Sequence, residues 1–187
     1  MRSRYHTACH VTISVVTLLV LGTGCARVPS EPADVTPLVT DRSSYAATYE
    51  GGDGTYRRYG FTVIARYTNS SSAPVYLGRC YPTSPHPSVG VALVEASGTG
   101  RESAYSPIYA CVGHDQQIVV SPGAVRTDTL HLVGPNAYNG ITKEPYGVLA
   151  GPMRLSYQVS ACPGDGGCAG TAPSRQYSNA FEVVQAP

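Results

Sequence analysis

The chain has 187 residues, with 13 basic and 12 acidic side chains and a formal net charge of +1. That balance, with no basic run, excludes the electrostatic footprint of a nucleic-acid-binding protein. Tyrosine occurs 14 times against two phenylalanines and no tryptophan, so a large buried core must draw on tyrosine.

Arg2 and Arg4 open the chain on positive charge, and VTISVVTLLVL (11–21) is an uncharged apolar run. Eleven residues are too few to cross a bilayer, which takes about 20. Gly22, Thr23 and Gly24 then lead directly into Cys25. A basic start, an apolar run and a small-residue cleavage site make the order of an export signal. With a cysteine after the small residues, the segment resembles a bacterial lipoprotein signal. That resemblance implies cleavage before Cys25, lipidation of its sulfur, and membrane attachment facing the periplasm or the cell surface. Leu21 stands one place upstream of the usual leucine position, which Gly22 fills. Ala26 rather than aspartate follows the cysteine, which by the same resemblance favours the outer membrane. Each buried methylene of an acyl chain contributes about 0.8 kcal/mol, so several chains on one cysteine give a firm anchor.

Residues 1–24 are therefore expected to be removed, leaving 163 with 11 basic and 12 acidic side chains. Residues 25–43 are expected to form the lipidated cysteine and a tether, because ARVPSEPADVTPLVT holds three prolines and little hydrophobic pattern. Residues 44–187 are the expected domain, and its strands begin at about Tyr45. Phe61, Val63, Ala65 and Tyr67 alternate with Thr62, Ile64, Arg66 and Thr68, the period of a half-buried strand. Asn69–Pro74 is a turn cluster, and Val75–Leu77 opens the next strand. Val89, Val91 and Leu93 alternate again. Ile118–Val120 precedes the turn Ser121-Pro122-Gly123, and Ala124–Val133 continues in a mixed pattern. In GPMRLSYQVS, Met153, Leu155, Tyr157 and Val159 should face the core, and Arg154, Ser156, Gln158 and Ser160 the solvent. Tyr177–Val184 is the last strand. No long segment has helical apolar spacing. Short strands with frequent turns predict an all-β fold, an antiparallel immunoglobulin-like sandwich of about 7–9 strands.

Four cysteines remain in the mature domain once Cys25 carries lipid: Cys80, Cys111, Cys162 and Cys168. In an oxidising compartment they read as two disulfides, with three pairings possible. Cys162–Cys168 closes the short loop CPGDGGC and is preferred, which leaves Cys80–Cys111. A metal site of Cys80, His86, Cys111 and His114 is the competing reading, set below the disulfides because thiolates must survive oxidation. No cofactor is expected. No Gly-x-Ser-x-Gly elbow marks a nucleophile, so no catalytic residue is assigned and the chain is read as non-enzymatic. Asp53 and Asp165 are single carboxylates among glycines, too few oxygens for calcium. Asn69-Ser70-Ser71 matches a glycosylation sequon, a chance match in a bacterial chain. Tyr67 and Tyr157 belong to the core by parity. Tyr81, Tyr105, Tyr109 and Tyr138 lie in or near loops and form the candidate binding patch.

The order FTVIARYTNSSSAPVYL, IVVSPGAVRTDTLHL, GPMRLSYQV and SNAFEV resembles small bacterial immunoglobulin-like domains. It is similar, more loosely, to the bacterial intracellular proteinase inhibitor domain family, although the chain has no tryptophan for the aromatic strand centre common there. The first resemblance implies a sandwich, and the second implies inhibition of a protease. The expected function is that of a membrane-anchored binding module whose partner is another envelope or extracellular protein. The alternatives are a protease inhibitor and a carbohydrate or metal binder. An exposed aromatic platform would favour sugar.

Overall fold

The computed structural model describes residues 36–53, 56–80, 84–94, 104–107, 117–135, 147–164 and 172–187. They belong to one compact unit, Val35–Pro187. Ten strands are present among them: β1 Leu38–Thr40, β2 Ser44–Asp53, β3 Tyr56–Thr68, β4 Val75–Leu77, β5 Val89–Leu93, β6 Ile118–Val120, β7 Val125–Gly134, β8 Met153–Ser160, β9 Ser174–Tyr177 and β10 Glu182–Gln185. They form two five-stranded sheets, so the all-β sandwich expected from the alternation is the fold. The count exceeds the expected 7–9, since β1 lies in the segment read as tether and the last expected strand is two, β9 and β10.

β3 organises the first sheet. One edge pairs antiparallel with β7 from Tyr59↔Gly134 to Thr68↔Val125. The other pairs with β2 along its first half and with β1 along its second. β10 joins β2 in parallel, Glu182↔Ser44 to Gln185↔Ala47, which corrects the expectation of purely antiparallel pairing. In the second sheet β8 is central, flanked by β5 and β4 on one side and β9 on the other, with β6 outside β4.

The core lies between the sheets and follows the period of two. Tyr59, Phe61, Val63, Ala65 and Tyr67 of β3 are all buried, and so are Met153, Leu155, Tyr157 and Val159 of β8. Rings meet across the core in edge contacts: Phe61 with Tyr105 at 5.0 Å between centroids, and Tyr45 with Phe181 at 5.3 Å. Edge-to-face geometry sets the positive rim of one ring on the negative face of the other.

Two expectations about exposure are corrected. Leu38, assigned to the tether, is fully buried, and β1 starts the sandwich ahead of residue 44. Ser156 and Ser160 point away from the core yet are also buried, with the Ser156 hydroxyl 3.4 Å from Gly90 O and the Ser160 hydroxyl donating to Cys162 O at 2.8 Å. The Arg175 guanidinium lies 3.4 Å from Ser156 Oγ.

Asn69 links two crossings between the sheets. Its Nδ2 donates to the carbonyls of Ala73 and Val120, and its Oδ1 accepts from Ser71. Its backbone N–H donates to Ala124 O and its carbonyl accepts from Gly123 N. Pro122 followed by Gly123 at φ +71° makes the 121–124 turn as the sequence indicated, since only glycine takes that φ without strain. Asn69 is 2% exposed, so the sequon asparagine has no side chain to offer a glycan.

Candidate functional site

The tyrosine patch expected from the sequence does not form as drawn. Tyr105 is fully buried, and its hydroxyl accepts a hydrogen bond from Leu149 N at 2.9 Å. Burial pushes its pKa up to about 12, and the Leu149 N–H offsets only part of that. It is a core residue because its bridge to Val91 carries it between the sheets. Tyr81, Tyr109 and Tyr138 lie outside the described residues, as does Cys25.

Cys80 and Cys162 are each disulfide-bonded. The preferred pairing, Cys162–Cys168 with Cys80–Cys111, involves Cys111 and Cys168, which lie outside the described residues.

A polar cluster that the sequence reading missed closes one flank of the sandwich. Asp128 lies on the inward parity of β7 and is 2% exposed. Its carboxylate accepts from Arg126 Nε at 3.0 Å and Nη2 at 2.6 Å. It also accepts from the Tyr157 hydroxyl at 3.1 Å and lies 3.2 Å from His86 Nδ1. Arg126 Nη2 reaches on to Pro85 O at 2.6 Å, so the segment before β5 is tied down at two points. Such a carboxylate can orient an imidazole, but no hydroxyl or thiol bonds the His86 ring among the described residues. The arrangement is that of a buried ionic latch. The signal for it was present: Asp128 shares the parity of Leu130 and Leu132.

The concave feature that offers unused chemistry lies at one end of the first sheet. Tyr49, Arg57, Tyr59 and Gln185 line an open groove of about 390 Å³. All four belong to the inward parity of their strands, and among the described residues none of the second sheet lines the cavity. Tyr49 and Tyr59 are cross-strand partners with ring centroids 5.9 Å apart at 68°. Tyr59 is buried, while Tyr49 is 58% exposed. A bulge between Tyr49 and Gly51 locally twists β2, and Gly51 and Gly52 take φ of +114° and +147° there. Bulges of this kind re-aim side chains at the rims of sheets. The bulged Glu50 bonds His131 Nε2 at 2.9 Å and lies over Gly60, whose missing side chain leaves it room. Neither the Arg57 guanidinium nor the Gln185 amide has a hydrogen-bond or ion-pair partner among the described residues. Sequence reasoning passed over this site because Tyr49 continues the core parity of Tyr45 and Ala47.

No family model matches the chain, and the comparison with curated proteins found no match either. Among solved structures, a Bordetella pertussis protein with the provisional name ApaA is 17% identical, with 80% of this chain and 94% of that chain covered. The TM-score is 0.36, too slight a likeness to carry fold or function. Neither the family models nor the curated proteins support the similarity to the proteinase inhibitor domain family.

Proposed function

We propose that the chain is a membrane-anchored, non-enzymatic binding module of the bacterial envelope. Lipid on Cys25 attaches it, residues 26–37 space it from the membrane, and the groove of Tyr49, Arg57, Tyr59 and Gln185 receives its ligand. The observation that carries this reading is a large aromatic side chain, Tyr49, held 58% exposed in a concavity beside an unpaired guanidinium. Exposed aromatics and arginines that a fold holds rigid are the usual anchors of recognition sites. The strand order shared with the proteinase inhibitor domain family supports a second reading, and inhibition of a serine protease by the purified protein would put it first.

Two measurements test the proposal. Wild type should incorporate labelled palmitate and partition into detergent, and Cys25→Ser should do neither. Label retained by the variant removes the anchor. The Cys25→Ser protein, with no lipid to hold it, should still be retained on isolated envelope fractions through the groove, and Tyr49→Ala and Arg57→Ala in that background should be released from them. Undiminished retention of both variants moves the binding surface elsewhere.

A further inference from the structure

The Arg57 and Gln185 donors of the groove have no partner among the described residues. Arg57 offers a planar guanidinium fork, and Gln185 offers an amide from the neighbouring parallel strand pair. Among the described residues no carboxylate lines the groove. Glu50, next to Tyr49 in the chain, is on the other face of the sheet and already bonded to His131. A ligand that satisfies this lining must bring acceptors, and one of them should be a carboxylate, the group that matches a guanidinium fork.

Tyr49 adds the second requirement. Its ring is braced against buried Tyr59, so a ligand that packs on it does not have to immobilise it first. A braced, exposed ring offers a flat apolar face to a flat apolar partner. The volume of about 390 Å³ is in the lower part of the range of small-molecule sites, and the groove is open rather than enclosed. Its floor is the face of a sheet, not an edge, so it offers no main-chain ladder of the kind that reads an extended peptide.

We infer that the groove takes an acidic saccharide, with the apolar face of a sugar ring on Tyr49 and the sugar carboxylate on Arg57. Gln185 bonds ring hydroxyls, and the open ends of the groove let a chain of sugars continue. This inference rests on the reading of the groove as the recognition site and adds the chemical class of the ligand.

The test is titration calorimetry on the mature lipidated protein in detergent micelles. The probes are oligogalacturonate and sialyllactose, each beside its methyl ester, and a short peptide with a free C-terminal carboxylate. Esterification removes the charge and keeps the sugar. At least one acid should bind, and its ester should bind roughly tenfold more weakly or worse, the effect of one charge-assisted hydrogen-bonded pair. Arg57→Ala should bind acid and ester equally weakly. Tyr49→Ala should lose both, and Tyr49→Phe should keep both. Equal binding of acid and ester by wild type, or full affinity in Arg57→Ala, overturns the acidic class. The groove still stands in that case provided Tyr49→Ala loses binding. A bound probe indifferent to Tyr49→Ala and Arg57→Ala removes the groove itself. Binding of the peptide alone overturns the inference in favour of a protein partner, and binding of no probe at millimolar concentration overturns it outright. Both side chains are solvent-exposed, so unchanged thermal melts separate lost binding from lost fold.

Discussion

Three side chains, Arg126, His86 and Tyr157, meet the Asp128 carboxylate, and they are unequal partners. The carboxylate side chain is 1% exposed and the Arg126 side chain 26%. Removing Arg126 strands a buried negative charge with only a hydroxyl and an imidazole beside it. Neutralising Asp128 strands a guanidinium that can still reach water. Arg126→Met should therefore be the more damaging change, at about 3 kcal/mol, the cost of breaking a buried pair from the exposed side. Asp128→Asn should cost about 1–2 kcal/mol, since the amide oxygen keeps part of the hydrogen bonding. Urea unfolding of the two variants checks the order, and a reversed order would mean that the latch is not held by the charge of Arg126. Part of this cluster was legible beforehand. The alternation of Asp128, Leu130 and Leu132 marks an inward carboxylate, and a buried carboxylate demands partners. His86 and Tyr157, 42 and 29 residues away, were not legible, because only the stacking of the two sheets brings them in.

At the scale of the strand, parity was read correctly and exposure was not. β8 alternates as its sequence indicates, with Leu155 and Tyr157 fully buried. Leu155→Ala should cost about 2–5 kcal/mol, as emptying a buried leucine site does. The outward residue Ser156 is not the solvent-facing control that alternation implies. It is 2% exposed, with its hydroxyl 3.4 Å from Gly90 O. Ser156→Ala should cost about 0.5–1.5 kcal/mol, the usual net worth of one hydrogen bond. Denaturant melts that gave the two changes equal weight would contradict the register of β8 with β5. The same distinction explains Tyr49. Its parity says core, but burial requires a second layer above it, and among the described residues the lining of the groove comes from the first sheet. Alternation tells which way a side chain points. What covers it depends on how far the opposite sheet extends, which is a property of two distant segments.

At the scale of the whole molecule, the composition becomes an electrostatic property of the core. With two phenylalanines in the chain, tyrosine supplies much of the buried aromatic volume, including Tyr45, Tyr59, Tyr67, Tyr105 and Tyr157. A tyrosine core is titratable. Burial raises the pKa of Tyr105 to about 12. Burial, reinforced by the hydrogen bond that its hydroxyl donates to Asp41, does the same for Tyr45, also to about 12. Burial raises Tyr67 as well. In the unfolded chain these phenols ionise near 10. A group whose folded pKa is raised contributes its stability in full below the unfolded value and loses it as pH climbs towards the folded one. Stability attributable to these residues should thus be flat up to about pH 10 and fall between about 10 and 12, by on the order of 2 kcal/mol each for Tyr45 and Tyr105. Urea midpoints at intervals across that window, with absorbance at 295 nm reporting phenolate, measure it. The buried phenols should ionise only as the protein unfolds, giving a cooperative step in the absorbance. Tyr105→Phe, which removes one ionisable group from the core, should shallow the alkaline decline while losing the Leu149 hydrogen bond at neutral pH. A midpoint that stays constant from pH 10 to 12, or a Tyr105→Phe variant with an unchanged slope, would show that these hydroxyls already reach water in the folded state.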